Sequence, residues 1–152
     1  MSDSIHRLVY ISDNQIEGSD AEIHEEIKTI LQIAREANTK AGITGALMFN
    51  SGCFAQVLEG TQDSIEETFE RIQCDPRHNA VVVLSFEEIQ NRGFNNWSMA
   101  YVGCNETTVS KFENIKSESG FNIDKIPAGR IFDLLHEHLI DAEDSDEIAQ
   151  AA

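Results

Sequence analysis

The stretch GCFAQVLEG, from Gly52 to Gly60, reads as a β-strand with a glutamine on an apolar face. Residues two apart along a strand share a face, so Gln56 points the same way as Phe54 and Leu58, while Ala55 and Val57 point the other way. A buried carboxamide has up to four hydrogen bonds to make, and leaving them unmade costs about 1–3 kcal/mol. Either Gln56 faces solvent or a polar group waits for it.

Outward from this strand, the chain alternates strand and helix patterns. ITGALMFN, ending at Asn50, is a strand, and NSG (Asn50 to Gly52) is a tight hairpin turn into GCFAQVLEG. Upstream, HRLVYIS (His6 to Ser12) is rich in β-branched and aromatic residues and reads as the first strand. Ser19 with Glu22 three residues on forms a capping box that starts a helix. That helix carries an apolar stripe of Ile23, Ile27, Leu31 and Ala34, which continues to Asn38, and Gly42 stops it. Downstream, a second helix from about Gln62 to Gln73 has Ile65, Phe69 and Ile72 on one stripe, and CDPRHN breaks it at Pro76. AVVVLSFEEI is a fourth strand, and NWSMAYVG a fifth after the loop QNRGFN.

The order β-α-β-β-α-β-β is the ferredoxin-like α+β plan: two helices on one face of a mostly antiparallel sheet, with a core ending near Gly103. The rest reads as two short helices, about Thr107 to Lys116 and Ala128 to Ile140, followed by the acidic tail DAEDSDEIAQAA. These C-terminal helices either cover the open face of the sheet or offer a surface to a partner; they are too short for a second catalytic domain.

Composition narrows the function. The chain has 152 residues, 27 acidic against 11 basic, and a formal net charge of -16. Such a charge repels phosphate backbones and anionic membrane surfaces, so neither nucleic acid nor membrane is an expected partner. No apolar run approaches the roughly 18 residues of a membrane span, and the N-terminus lacks the pattern of a signal peptide. The 3 cysteines are spaced far apart, which fits free thiols in a reducing cytosol. His136 and His138 sit two apart, on different faces of a helix and with no third ligand, so no metal site is expected.

Three polar side chains therefore occupy core positions: Tyr10, Asn38 and Gln56. In this sheet plan the first and third strands are the adjacent central pair, which makes Tyr10 and Gln56 cross-strand neighbours beneath the first helix. Each has a plain packing role open to it; Asn38, four residues before Gly42, can serve simply to end its helix. Together, a phenol and two carboxamides form a hydrogen-bonding set without a nucleophile or a strong acid or base. Such a set suits a flat, heteroatom-rich ring better than hydrolysis.

Five segments also resemble one family, in its order and at its spacing: RLVYIS, AREANTKAGITGAL, GCFAQVLEG, RIQCDPRHN and RGFNNWSMAYVG. From His6 to about Gly103 the chain resembles BLUF domains, blue-light sensors that bind FAD. The resemblance implies a sensor domain over residues 1–103; the residue pattern adds a helical extension over 104–141 and an acidic, disordered tail over 142–152, which lies outside the resemblance. It implies that Gln56 hydrogen-bonds both Tyr10 and the flavin, that Asn38 holds the ring's pyrimidine edge, and that Arg77 and His78 assist flavin binding. Arg35 and Lys40 are further candidates near the phosphates. The implied switch is transfer of an electron from Tyr10 to the light-excited flavin, with its proton passing through Gln56; recombination leaves Gln56 rotated or tautomerised. Trp97 and Met99 share a face of the fifth strand by alternation, and the resemblance makes them the signal relay. It further implies a cytoplasmic, non-enzymatic photoreceptor that forms homo-oligomers and signals to a separate protein. Ala37 departs from the family, several members of which carry a larger polar residue there. The competing readings are a flavin-free interaction module on the same fold and an acylphosphatase-like hydrolase, for which no phosphate-cradling loop is found.

Overall fold

The computed structural model describes residues 4–14, 19–50, 53–74, 78–94, 99–102, 106–118 and 126–143. Strand β1 (Ile5–Asn14) leads to helix α1 (Asp20–Ala41), then β2 (Thr44–Asn50), β3 (Cys53–Thr61), α2 (Gln62–Gln73), β4 (His78–Ile89) and β5 (Ala100–Val102). Two further helices follow, α3 (Glu106–Glu118) and α4 (Ala128–Glu143). The strands form one sheet in the order β4-β1-β3-β2-β5. Every neighbouring pair is antiparallel except β2 and β5, which run parallel. This is the ferredoxin-like α+β arrangement, with β1 and β3 at its centre.

Local chemistry sets the helix ends. Ser19 accepts from the Glu22 amide while the Glu22 carboxylate accepts from the Ser19 amide, closing the capping box. That backbone hydrogen bond, and then the Ser19 hydroxyl, holds the Glu22 carboxyl below its ordinary value. At the other end Gly42 takes a left-handed conformation, φ 71°, and its N–H returns to the carbonyl of Asn38. Thr61 caps α2 by accepting from the Ser64 amide.

Both faces of the sheet are covered, so β3 is buried from Phe54 to Gly60. Below α1 and α2 lie Leu8, Tyr10, Leu47, Phe54 and Leu58, packed against Ile27, Leu31 and Ile65. On the opposite face Val9, Ile11, Met48 and Val57 pack against Phe112 and Ile115 of α3 and Ile131, Leu134 and Leu135 of α4. Of the two destinations open to the C-terminal helices, the sheet face is the one they occupy.

Within the run NWSMAYVG the strand comprises Ala100–Val102 and Met99 lies just before it, while 96–98 and 103 lie outside the described residues. The Met99 carbonyl accepts from Arg35 Nε at 2.9 Å, so a side chain takes the acceptor that a ladder would use. Helix α4 continues through Glu143, three residues into the acidic run DAEDSDEIAQAA that begins at Asp141; residues 144–152 lie outside the described set, as do Ser51 and Gly52 of the turn and Pro76. Among the described residues, no helix is long and apolar enough to cross a membrane.

Candidate functional site

Tyr10 on β1 and Gln56 on β3 stand directly opposite each other in the antiparallel register. Both are buried, Gln56 at 6% exposure, so the glutamine does not escape to solvent. The Tyr10 hydroxyl donates to Gln56 Oε1, and Gln56 Nε2 donates to the thioether of Met99 at 3.5 Å. The Tyr10 ring leans on Phe69 of α2, centroids 5.4 Å apart. Sulfur is a weak acceptor, and a carboxamide has two N–H groups and two lone pairs. The two contacts with Tyr10 and Met99 leave Gln56 capacity for another polar group.

That capacity opens onto a cleft between α1 and α2. Ile30, Ala34 and Ala37 of α1 and Ile72 of α2 make its apolar walls, and Leu47 and Met99 lie at the sheet. Polar atoms enter from Asn38, Gln56, Thr68 and Arg71. Ile33, 56% exposed, also lines the cleft. An apolar slot with few convergent polar groups is the ordinary form of a small-molecule site. A flat heteroaromatic ring fits this donor set: apolar walls for its faces, carboxamides for its edge, and a guanidinium for an anionic extension.

Asn38 reaches the cleft because it continues the stripe Ile27, Leu31, Ala34 by one more turn. It also ends the helix, through its backbone: its carbonyl accepts from the amides of Gly42 and, at 2.8 Å, of Ile43. Asn38 lines the cleft and is buried at 2% exposure. The helix-ending role therefore belongs to backbone atoms.

The remaining candidates divide. Met99, rather than lying on a strand face, precedes β5 with its sulfur on Gln56. Trp97 and Arg77 lie outside the described residues. His78 opens β4 opposite Asn14, and its side chain is outside what is described. Arg35 is outside the cleft lining; its Nε donates to the Met99 carbonyl, and burial lowers its guanidinium from the ordinary value. Lys40 is exposed in the last turn of α1 and does not line the cleft.

Two cleft residues were missed. Arg71 donates from Nη2 to the Thr68 hydroxyl at 3.2 Å, one turn away on α2, and both face the cleft. The available signal was Thr68, a polar residue three after Ile65 and four before Ile72. Phe69 fits the same stripe and masked it.

Comparison with known proteins agrees with this geometry. The family model for BLUF, sensors of blue light using FAD, matches residues 5–100. The photoactivated adenylate cyclase subunit beta of Euglena gracilis is 30% identical over 97 residues, 63% of this chain but 11% of that protein, so the chain spans about a tenth of this relative. Among solved structures, BlsA in its photo-activated state is 33% identical with a TM-score of 0.74, covering 90% of this chain and 95% of that one. The dark-state structure of BlrB, a BLUF protein, has a TM-score of 0.73 at 24% identity, over 93% of this chain and 99% of that one, and shares the fold. With a family match over more than half its length, the chain belongs to the BLUF family of blue-light flavin sensors.

Proposed function

We propose that the cleft between α1 and α2 binds FAD and that Tyr10 and Gln56 form the photochemical switch beside it. The observation that carries this reading is the buried pair itself: a phenol donating to a carboxamide whose remaining hydrogen-bonding capacity faces the cleft. The bound flavin supplies a light-driven one-electron oxidant. Tyr10 gives the electron, and the phenol, made strongly acidic by that loss, releases its proton along the hydrogen bond to Gln56. When electron and proton return to Tyr10, the carboxamide is left rotated or tautomerised, and its bonds to Tyr10 and Met99 change. Local hydrogen-bond rearrangement of this kind is a recognised form of switch.

Asn38 holds the ring edge in this reading. Arg71 supplies a cation at the cleft in a strongly acidic chain, and Arg77 and His78 assist flavin binding. Met99, with Trp97, relays the change outward. The protein acts as a cytoplasmic photosensor without a substrate reaction, forms homo-oligomers, and passes its signal to a separate protein. Purification tests the cofactor assignment. The protein should be yellow, and denaturation should release non-covalent FAD, identified by chromatography. A colourless protein that FAD does not reconstitute would overturn it.

A further inference from the structure

On the sheet face turned away from the cleft, β3 buries a carboxylate. Glu59 is fully buried, three residues from Gln56 and on the opposite side of the strand. Its Oε2 accepts from Arg7 Nε at 2.9 Å, from Arg7 Nη2 at 2.8 Å and from the Gly93 amide at 2.8 Å. Its Oε1 accepts from the Phe94 amide at 2.9 Å. Arg92 adds a bond to the Glu59 carbonyl at 3.1 Å. Residues 92–94 are thus tied to β3 through one side chain and its own backbone.

Arg7 also reaches α4. Its guanidinium carbon lies 4.0 Å from the centroid of the Phe132 ring. Phe132 stacks on His136, and Phe94 meets both rings edge-on at 5.5 and 5.6 Å. Glycine at position 93 permits this approach, because a Cβ there would come within 2.5 Å of Phe132 Cζ. Five residues after Phe94 the chain reaches Met99, which takes the N–H of Gln56 on its sulfur and the Arg35 guanidinium on its carbonyl. One short stretch of chain therefore has its first end on α4 and its last on the switch.

We propose that Arg7, seated between Glu59 and the Phe132 ring, is the latch that couples the light-driven change at Gln56 and Met99 to α4. This rests on the photosensor reading above. The two-state element is the Gln56 carboxamide: when it reorients, the hold on Met99 changes, and the connection to Phe94 carries that change to the segment that Glu59 clamps. A guanidinium that makes a two-point ion pair and also lies over an aromatic face is directional in both contacts, so a small displacement of Glu59 or Phe94 alters the seat of Phe132. Arg7 and Phe132 touch neither the cleft nor Gln56. They are positioning residues for the output, not for the photochemistry.

The test is hydrogen–deuterium exchange of the full chain loaded with FAD, in the dark and under blue light, with the flavin spectrum recorded on the same samples. Wild type should show a red-shifted flavin and a light-dependent change in exchange over residues 128–143. Phe132→Leu removes the ring and keeps an apolar side chain; it should retain the red shift and lose the light-dependent change in α4. Arg7→Lys keeps the charge beside Glu59 but gives up the planar contact, and should behave the same way; it carries the test alone should Phe132→Leu not fold. An intact red shift with the α4 change preserved in both variants, even over a raised dark baseline, overturns the latch and leaves the photosensor reading standing. So does a wild type that red-shifts without any change in α4. A wild type with no red shift overturns the photosensor reading and the latch with it.

Discussion

Gln56 and Asn38 illustrate how a residue out of place betrays a site. Each interrupts an apolar pattern with a carboxamide, and burial of a polar group is tolerated where it finds partners. Gln56 finds Tyr10 and Met99, and Asn38 lines the cleft. These positions were legible because period-2 and helical spacing fix a face without any knowledge of a ligand. Arg71 was not, because a cation on an otherwise amphipathic helix is normally solvated, and only Thr68 beneath it hinted otherwise. The helix-ending role of the Asn38 backbone makes a specific prediction. Asn38→Ala removes the side-chain amide but leaves the backbone carbonyl that accepts from Gly42 and Ile43. Each lost hydrogen bond to flavin should weaken binding by about 0.5–1.5 kcal/mol, while far-ultraviolet circular dichroism of α1 stays intact. Equilibrium titration with FAD measures this, and unchanged affinity would return Asn38 to a helix-ending role alone.

At the scale of elements, capping and turn chemistry made most boundaries readable. The capping box at Ser19, the stop at Gly42 and the span of α2 follow from residue types with local hydrogen bonds of their own. Within the fifth-strand run, Met99 lies before the strand, and its carbonyl accepts from Arg35, 64 positions away. Nothing in NWSMAYVG records that. Close approach between elements is similarly invisible until the register is known. At Gly45 on β2 an added Cβ would lie 2.0 Å from the Val57 carbonyl oxygen of β3, against backbone that is buried and cannot yield cheaply. Gly45→Ala should therefore destabilise the fold by about 1–3 kcal/mol, as overpacking of a tight interior does. A urea melt of the FAD-loaded protein checks it; a midpoint equal to wild type would mean that β2 shifts freely to make room.

For the molecule as a whole, the sequence established a two-helix face and left the other face open. Leu134, Leu135 and Ile131 form an amphipathic stripe that suits a sheet or a partner equally, and only the packing against Val9, Ile11 and Val57 decides between them. The result is a sheet with the cleft on one side and a helical pair on the other, so that β3 presents Gln56 to the first and Glu59 to the second. A sensor needs such a through-sheet connection, and the central claim is that light acts on it through Tyr10 and Gln56. The most direct measurement is the absorption difference spectrum of the FAD-loaded chain before and after blue light, for wild type, Tyr10→Phe and Gln56→Leu, with flavin occupancy determined for each. Wild type should give a reversible red shift. Tyr10→Phe keeps the ring and loses the donor, Gln56→Leu keeps the donor and loses the relay, and neither should accumulate the normal shifted form despite binding flavin. A normal, reversible shift in both variants would contradict the account and leave the two residues as packing alone.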